Sequence, residues 1–179
     1  MALVRIAVLV VAVSAVSCHS AAQSHPLATV DAGAADPRFA RQVTDSAVIA
    51  KLESAPLSVL VQGQRLTLWA GLSRDFMPLA PVNGHPLAAV LRIASADSAV
   101  LVTTLRVDTT WVLSGGEAWA LHHASREVPS DTARVYEVSM FGGPKWPPGI
   151  RVDVVVRIQD KAGRIYFLRA TGVKVMRTA

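Results

Sequence analysis

The chain has 179 residues, of which 51% are hydrophobic, and this length and composition suit one folded domain and exclude a disordered chain. A single cysteine excludes an internal disulfide framework and any multi-cysteine zinc site. The net charge of +5 is scattered along the chain rather than clustered, so nucleic acid is not an expected partner.

The first residues have the three regions of a secretory signal peptide. Arg5 supplies a positive charge, residues 6–13 are apolar, and small residues precede Cys18. The apolar run is shorter than the roughly 20 residues that a membrane-spanning helix needs. We therefore predict a signal peptide over residues 1–17 and export of the remaining chain.

The residues Ala15-Val16-Ser17-Cys18 resemble the lipobox of bacterial lipoproteins, although that family usually has Leu where this chain has Ala15. The resemblance implies that Cys18 is lipidated and becomes the mature N-terminus, anchored in the cell envelope. In Gram-negative lipoproteins Asp after the cysteine favours the inner membrane, so His19 favours the outer membrane. Ala15 and Ser17 also satisfy ordinary signal peptidase, which would leave a periplasmic or secreted protein with a free thiol, a liability in an oxidising compartment.

A flexible tether is predicted over residues 18–44, where the chain has no sustained periodicity and contains Pro26 and Pro37. The folded domain is predicted over residues 45–179 and begins with a short helix. Asp45 or Ser46 would cap this helix, and Val48, Ile49 and Leu52 would share one face before Pro56 ends it.

Period-two alternation dominates the rest of the chain and predicts strands. The predicted strands cover residues 57–62, 65–70, 87–93, 99–107, 109–113, 117–123, 134–140, 150–159, 164–169 and 173–176. Ser114-Gly115-Gly116 is predicted to form a hairpin turn that makes Trp111 and Trp119 cross-strand neighbours.

With neighbouring segments merged, these ten segments make about eight or nine strands in roughly 120 residues, separated by turn signals, and they indicate an all-β fold. We predict an antiparallel β-sandwich or a small barrel that resembles an immunoglobulin-like or fibronectin-like module. The likeness is architectural, because the domain has no cysteine and therefore lacks the Cys…Trp…Cys pattern of true immunoglobulin domains.

Catalytic and metal-binding patterns are weak in this sequence. Neighbouring residues of a strand point to opposite faces, so His122 and His123 are not expected to bind the same zinc ion. No nucleophile elbow or phosphate loop is present. We expect no metal, no cofactor and no enzymatic activity. The alternatives are an envelope hydrolase or metal-dependent enzyme that uses His85, His122 or His123, and a small-ligand carrier.

Two unusual loops are the best candidates for partner binding. The first contains Arg74, Asp75, Phe76 and Met77 ahead of two prolines, and the second, around residues 142–149, contains Lys145 and Trp146 among three prolines. A rigid loop with an aromatic anchor is typical of binding hot spots. The alternative is that Phe76 and Met77 plug one end of the core and that Trp146 covers a core edge.

The sequence therefore predicts an exported, lipid-anchored envelope protein. Its domain would act as a non-enzymatic binding or structural module through loops around residues 74–78 and 142–149. The expected partners are the membrane, reached through the lipid on Cys18, and an envelope protein or glycan.

Overall fold

The domain is all-β, with strands that form a curled mixed sheet and one short helix. The structure, a computed structural model, describes residues 40–101, 105–123 and 133–179, with only the backbone described at His122 and His123. The predicted signal peptide, Cys18 and the tether up to residue 39 lie outside the described residues. Within these ranges no helix has the length and apolar character that a membrane crossing needs.

The described secondary structure follows the period-two pattern of the sequence. The strands are β1 (Arg41–Val43), β2 (Ser58–Val61), β3 (Gln64–Asp75), β4 (Ala88–Ser95), β5 (Leu105–Ser114), β6 (Glu117–His123), β7 (Val135–Phe141), β8 (Arg151–Asp160) and β9 (Ile165–Thr178), and helix α1 spans Ser46–Glu53. β1 lies in the last residues of the predicted tether and pairs with β6. The strands predicted over 164–169 and 173–176 are one continuous strand, β9, which passes through Gly172 with a φ of 63°.

The sheet curls because two strands pass from one half of it to the other. The hydrogen-bonded order is β1-β6-β5-β8-β9-β3-β4-β7, and β6 also pairs with β7. β9 pairs antiparallel with β8 over most of its length and then parallel with β3 from Val175 onward. The expectation of a purely antiparallel arrangement is therefore wrong at the β3–β9 pair, where the last strand enters beside a strand that runs in the same direction.

The core lies on the inner side of the curl. Inward residues alternate along each strand, as a half-buried strand requires. They include Leu66, Leu72, Leu91, Ile93, Val138 and Met140 from β3, β4 and β7, and Val112, Val154, Val156, Ile158 and Leu168 from β5, β8 and β9. These side chains fill the space between the two halves of the sheet.

A second, smaller cluster forms where α1 packs on the outer side of β5, β6 and β8. Asp45 caps the helix as predicted, accepting hydrogen bonds from the backbone N–H groups of Ala47 and Val48. Leu52 is buried against Leu113, Ala118 and Val155. Hence Val155, which points away from the main core, is still covered.

The β5–β6 hairpin has a register one residue away from the predicted one. Gly115 and Gly116 form a two-residue turn with φ values of 59° and 81°, so Ser114 pairs with Glu117 and Trp111 with Ala120. Trp111 and Trp119 consequently lie on opposite faces of the sheet. Trp111 stacks with Phe167 at a centroid distance of 6.1 Å, whereas Trp119 packs against the main core.

Candidate functional site

The two unusual loops lie side by side, and Arg74 joins them. One loop covers residues 76–87, between β3 and β4, and the other covers residues 142–150, between β7 and β8. The guanidinium of Arg74 donates from Nε to the carbonyl of His85 at 3.0 Å and from Nη2 to the carbonyl of Asn83. Its Nη1 donates to the carbonyls of Lys145 and Trp146 at 3.0 and 3.1 Å. One side chain therefore fixes both loops.

Arg74 reaches both loops because the sheet directs it inward. It follows Leu66, Ala70 and Leu72 on the core face of β3 and is only 4% exposed. Arg74 and Asp75, predicted in a loop, are thus the last residues of the strand. Burial lowers the pKa of Arg74, and among the described residues its charge is balanced by carbonyl oxygens rather than by a carboxylate.

Phe76 occupies a half-buried position between two guanidinium groups. The Cζ atoms of Arg74 and Arg177 lie 4.8 and 4.5 Å from the centre of its ring. Gly84 has a φ of 65°, and a Cβ there would lie 2.7 Å from the same ring. The Phe76 backbone N–H donates to the carbonyl of Thr178 at 2.8 Å. The ring is therefore packed into the base of the first loop.

The other residues that the sequence singled out have different roles. The carboxylate of Asp75 accepts the N–H of Met77 at 2.9 Å, which shapes the start of the first loop. Trp146 is partly buried against the main core. Lys145 is exposed, and Met77 is 55% exposed. The structure thus brings all six candidate residues to one end of the domain, with Met77 and Lys145 directed to solvent.

The tip of the first loop carries two aliphatic side chains that sequence reasoning did not select. Leu79 is 99% exposed and Val82 is 100% exposed. We call Met77, Leu79 and Val82 the apolar tip. Their spacing around Pro78 and Pro81 could have indicated in the sequence that they are exposed, because aliphatic residues in a proline-bounded loop have no strand or helix face to bury them.

A groove of about 470 Å³ runs between the two loops. Three cations line it, and the remaining lining residues are largely apolar. They are Arg74, Lys145 and Arg177, with Phe76, Val82, Asn83, Pro147 and Pro148. No carboxylate is among the described residues that line the groove, so the groove attracts anionic groups.

The histidines are not assembled into a site by the part of the chain that the structure describes. His85 is exposed, and its carbonyl accepts from Arg74. His122 and His123 pair through their backbone with Phe141 and Met140. The described residues contain no group of three or more His, Cys, Asp or Glu side chains placed to hold a metal ion.

Two arginines on or near β8 and β9 pair with carboxylates. Arg157 pairs with Asp108 at 2.7 Å, and Arg164 pairs with Asp160 at 2.8 Å. The three cations of the groove differ from these arginines because they lack carboxylate partners among the described residues.

Comparison with known proteins adds no family to this description. No protein-family model matches the chain, and no curated protein is significantly similar to it.

Proposed function

We propose that this chain is an exported, lipid-anchored protein of the cell envelope, and that its domain binds a partner without catalysing a reaction. The binding surface consists of the apolar tip and the groove between the 76–87 and 142–150 loops, and we call it the two-loop surface. The partner is a component of the envelope.

One observation carries the binding proposal. The four hydrogen bonds of Arg74 fix the two loops against each other, while the side chains of Leu79 and Val82 remain uncovered. When a partner buries an apolar side chain that a rigid loop already holds in place, little conformational entropy is lost. Exposed apolar patches with a polar rim are typical of interaction sites.

Export and anchoring are supported by the N-terminal sequence. The apolar run over residues 6–13 and the residues Ala15-Val16-Ser17-Cys18 are the features that support them. Phase separation in a detergent tests the anchor: the protein from a bacterial host should enter the detergent phase, and a Cys18→Ser variant should remain in the aqueous phase. Equal partitioning of the two proteins would exclude lipid attachment at Cys18.

We also propose that the curled sheet is an immunoglobulin-like sandwich. In such sandwiches strands A, B and E lie in one sheet and C, F and G in the other. The neighbours β3-β4-β7 and β5-β8-β9 correspond to these two sets. A crystal structure tests the proposal through the angle between the two layers, with about −30° expected for an aligned sandwich. A cylinder without two distinct layers would contradict it.

Site-specific photo-crosslinking tests the binding surface. A photoreactive amino acid at Val82 should give adducts with a component of the envelope in intact cells, because this side chain is fully exposed at the apolar tip. The same amino acid at Leu60, an exposed position on β2, is the matched control. Adducts from Leu60 alone, or from neither position, would contradict the proposal.

A further inference from the structure

The apolar tip and the neighbouring cations fit a particular partner. We propose that the two-loop surface docks onto the anionic surface of a lipid bilayer, a proposal that rests on the binding function proposed above. Leu79 and Val82 would enter the interface between headgroups and acyl chains, and Lys145 and Arg177 would contact the headgroups.

The exposed side chains favour a membrane over a protein partner. Protein interfaces depend on aromatic and arginine anchors, whereas Leu and Val are under-represented among their hot spots. On this surface the aromatic rings of Phe76 and Trp146 are packed inward, and the uncovered side chains are aliphatic. The transfer of aliphatic groups from water into a bilayer lowers the free energy, and it needs no shaped pocket.

The charges favour an anionic surface. Lys145 and Arg177 are exposed and line the groove directly beside Val82. Arg74 adds a fixed positive charge behind them, because its guanidinium is held by loop carbonyls. Asp75 is the acidic residue next to Arg74 in the sequence, and one of its carboxylate oxygens accepts a hydrogen bond from the backbone N–H of Met77.

Residue 40 lies at the end of the domain that carries the apolar tip. The N–H of Ala40 donates to the carbonyl of Gly142 at 2.7 Å. The segment that leads back to Cys18 therefore joins the domain at the 142–150 loop, three residues before Lys145.

A local fluorescent probe tests the proposal independently of the N-terminus. Full-length protein with Cys18→Ser and Val82→Cys is labelled with an environment-sensitive dye and mixed with vesicles of phosphatidylglycerol or phosphatidylcholine. We expect a blue shift and brighter emission with phosphatidylglycerol and little change with phosphatidylcholine or inorganic phosphate. A label at Leu60→Cys should keep the emission of the protein in water.

Charge and apolar variants then separate the two contributions. Lys145→Gln with Arg177→Gln should weaken partitioning onto phosphatidylglycerol about 25-fold, because each cation near an anionic surface contributes about fivefold. Arg65→Gln with Arg106→Gln removes two exposed cations from the opposite end of the strands and should leave partitioning unchanged. Leu79→Ser should weaken partitioning about tenfold or more.

Failure of the lipid proposal is distinguishable from failure of the binding function. If the Val82 label does not respond to phosphatidylglycerol, or if the Leu60 label responds equally, docking onto lipid is wrong. Protein adducts from the Val82 photo-crosslinker would in that case still support partner binding. If the photo-crosslinker also gives no adduct, both proposals fail.

Discussion

The guanidinium of Arg74 carries a full positive charge into a position that is 4% exposed to solvent. Burial lowers its pKa, yet a guanidinium remains protonated at neutral pH because it is the strongest base among the side chains. Its charge is stabilised by carbonyl oxygens from both loops, and hydrogen bonds to a charged group are stronger than neutral ones. The stability of the two-loop surface therefore depends on this side chain.

Replacing Arg74 by Met tests this dependence. The substitution keeps an apolar stem but leaves four loop carbonyls without their donor, so we expect the free energy of unfolding to fall by about 2–4 kcal/mol. Urea denaturation measures the change. Arg106→Met, at an exposed position, should change stability by less than about 0.5 kcal/mol. Equal effects of the two substitutions would show that Arg74 does not support the loops.

Asp160 provides a test of pH dependence at a buried turn. Burial raises the pKa of its carboxyl group. Hydrogen bonds from the backbone N–H and guanidinium of Arg164 and from the Tyr166 hydroxyl together lower this pKa by more than burial raises it, so the net pKa lies below the ordinary value. The unfolded chain binds this proton more readily. The carboxylate therefore stabilises the fold above its unfolded pKa of about 4, and this stability is lost as the pH falls through the folded-state pKa.

We expect Asp160→Asn to be less stable than the natural chain at neutral pH, and the difference to shrink below about pH 4. Urea denaturation over a series of pH values measures it. Glu53→Gln, at an exposed position on α1, removes one carboxyl group elsewhere in the domain and serves as the control for the change in net charge. A difference for Asp160→Asn that is constant with pH would contradict the assigned role of the carboxylate.

At this scale the sequence drew attention to the two loops but did not assign their individual side chains. It selected Arg74, Phe76 and Trp146 as candidate partner contacts, with a core position as the alternative for Phe76 and Trp146, and the structure packs all three inward. Arg74 points inward because β3 continues to Asp75, whereas the predicted strand ended at residue 70. Arg177 escaped notice because only the parallel pairing of β9 with β3 brings it to Phe76.

Among the elements, the β5–β6 hairpin is specified by two glycines. Both have positive φ values, and a Cβ at either position would meet nothing within 4 Å, so backbone conformation alone restricts substitution. This geometry is that of the two-residue hairpin turn in which Asn-Gly is favoured. The sequence predicted the turn, but its centre was placed on Gly115 instead of between the two glycines. A one-residue error in the centre moves a side chain to the other face of the sheet.

Substitutions at the two glycines test the turn. Gly116→Val should lower the free energy of unfolding by about 1–2 kcal/mol, because a branched residue is strained at positive φ. Gly115→Asn should be close to neutral, since Asn tolerates this conformation. Thermal unfolding of both variants measures the contrast. Equal destabilisation by Asn and Val would contradict the turn type.

Helix α1 is the element that covers the outer side of β5 and β8. Leu52→Ala should cost about 2–4 kcal/mol, because it leaves a cavity against Leu113 and Val155. Val48→Ala, one turn before Leu52 at a position that is 37% exposed, should change stability much less. Urea denaturation compares the two variants. If Leu52→Ala behaved like Val48→Ala, the helix would not be docked on the sheet.

For the whole molecule, the sequence was sufficient for the class of fold and insufficient for its closure. Local patterns predicted the strands, the helix and the β5–β6 hairpin, but no pairing between strands that are distant in the sequence. The pairing of β9 with β3 joins residues about 100 positions apart, and no local pattern specifies such a contact. The two-loop surface exists only because the fold brings residues 76–87 and 142–150 together.

Hydrogen–deuterium exchange of the full chain, with and without phosphatidylglycerol vesicles, tests the central claim most directly. The proposed function and the lipid proposal together predict that amide protection on vesicle binding is concentrated in residues 76–87 and 142–150. The strand faces around Trp69 and Leu60 should exchange as they do in the free protein. Protection of those faces with unchanged exchange in both loops would contradict the assignment of the two-loop surface.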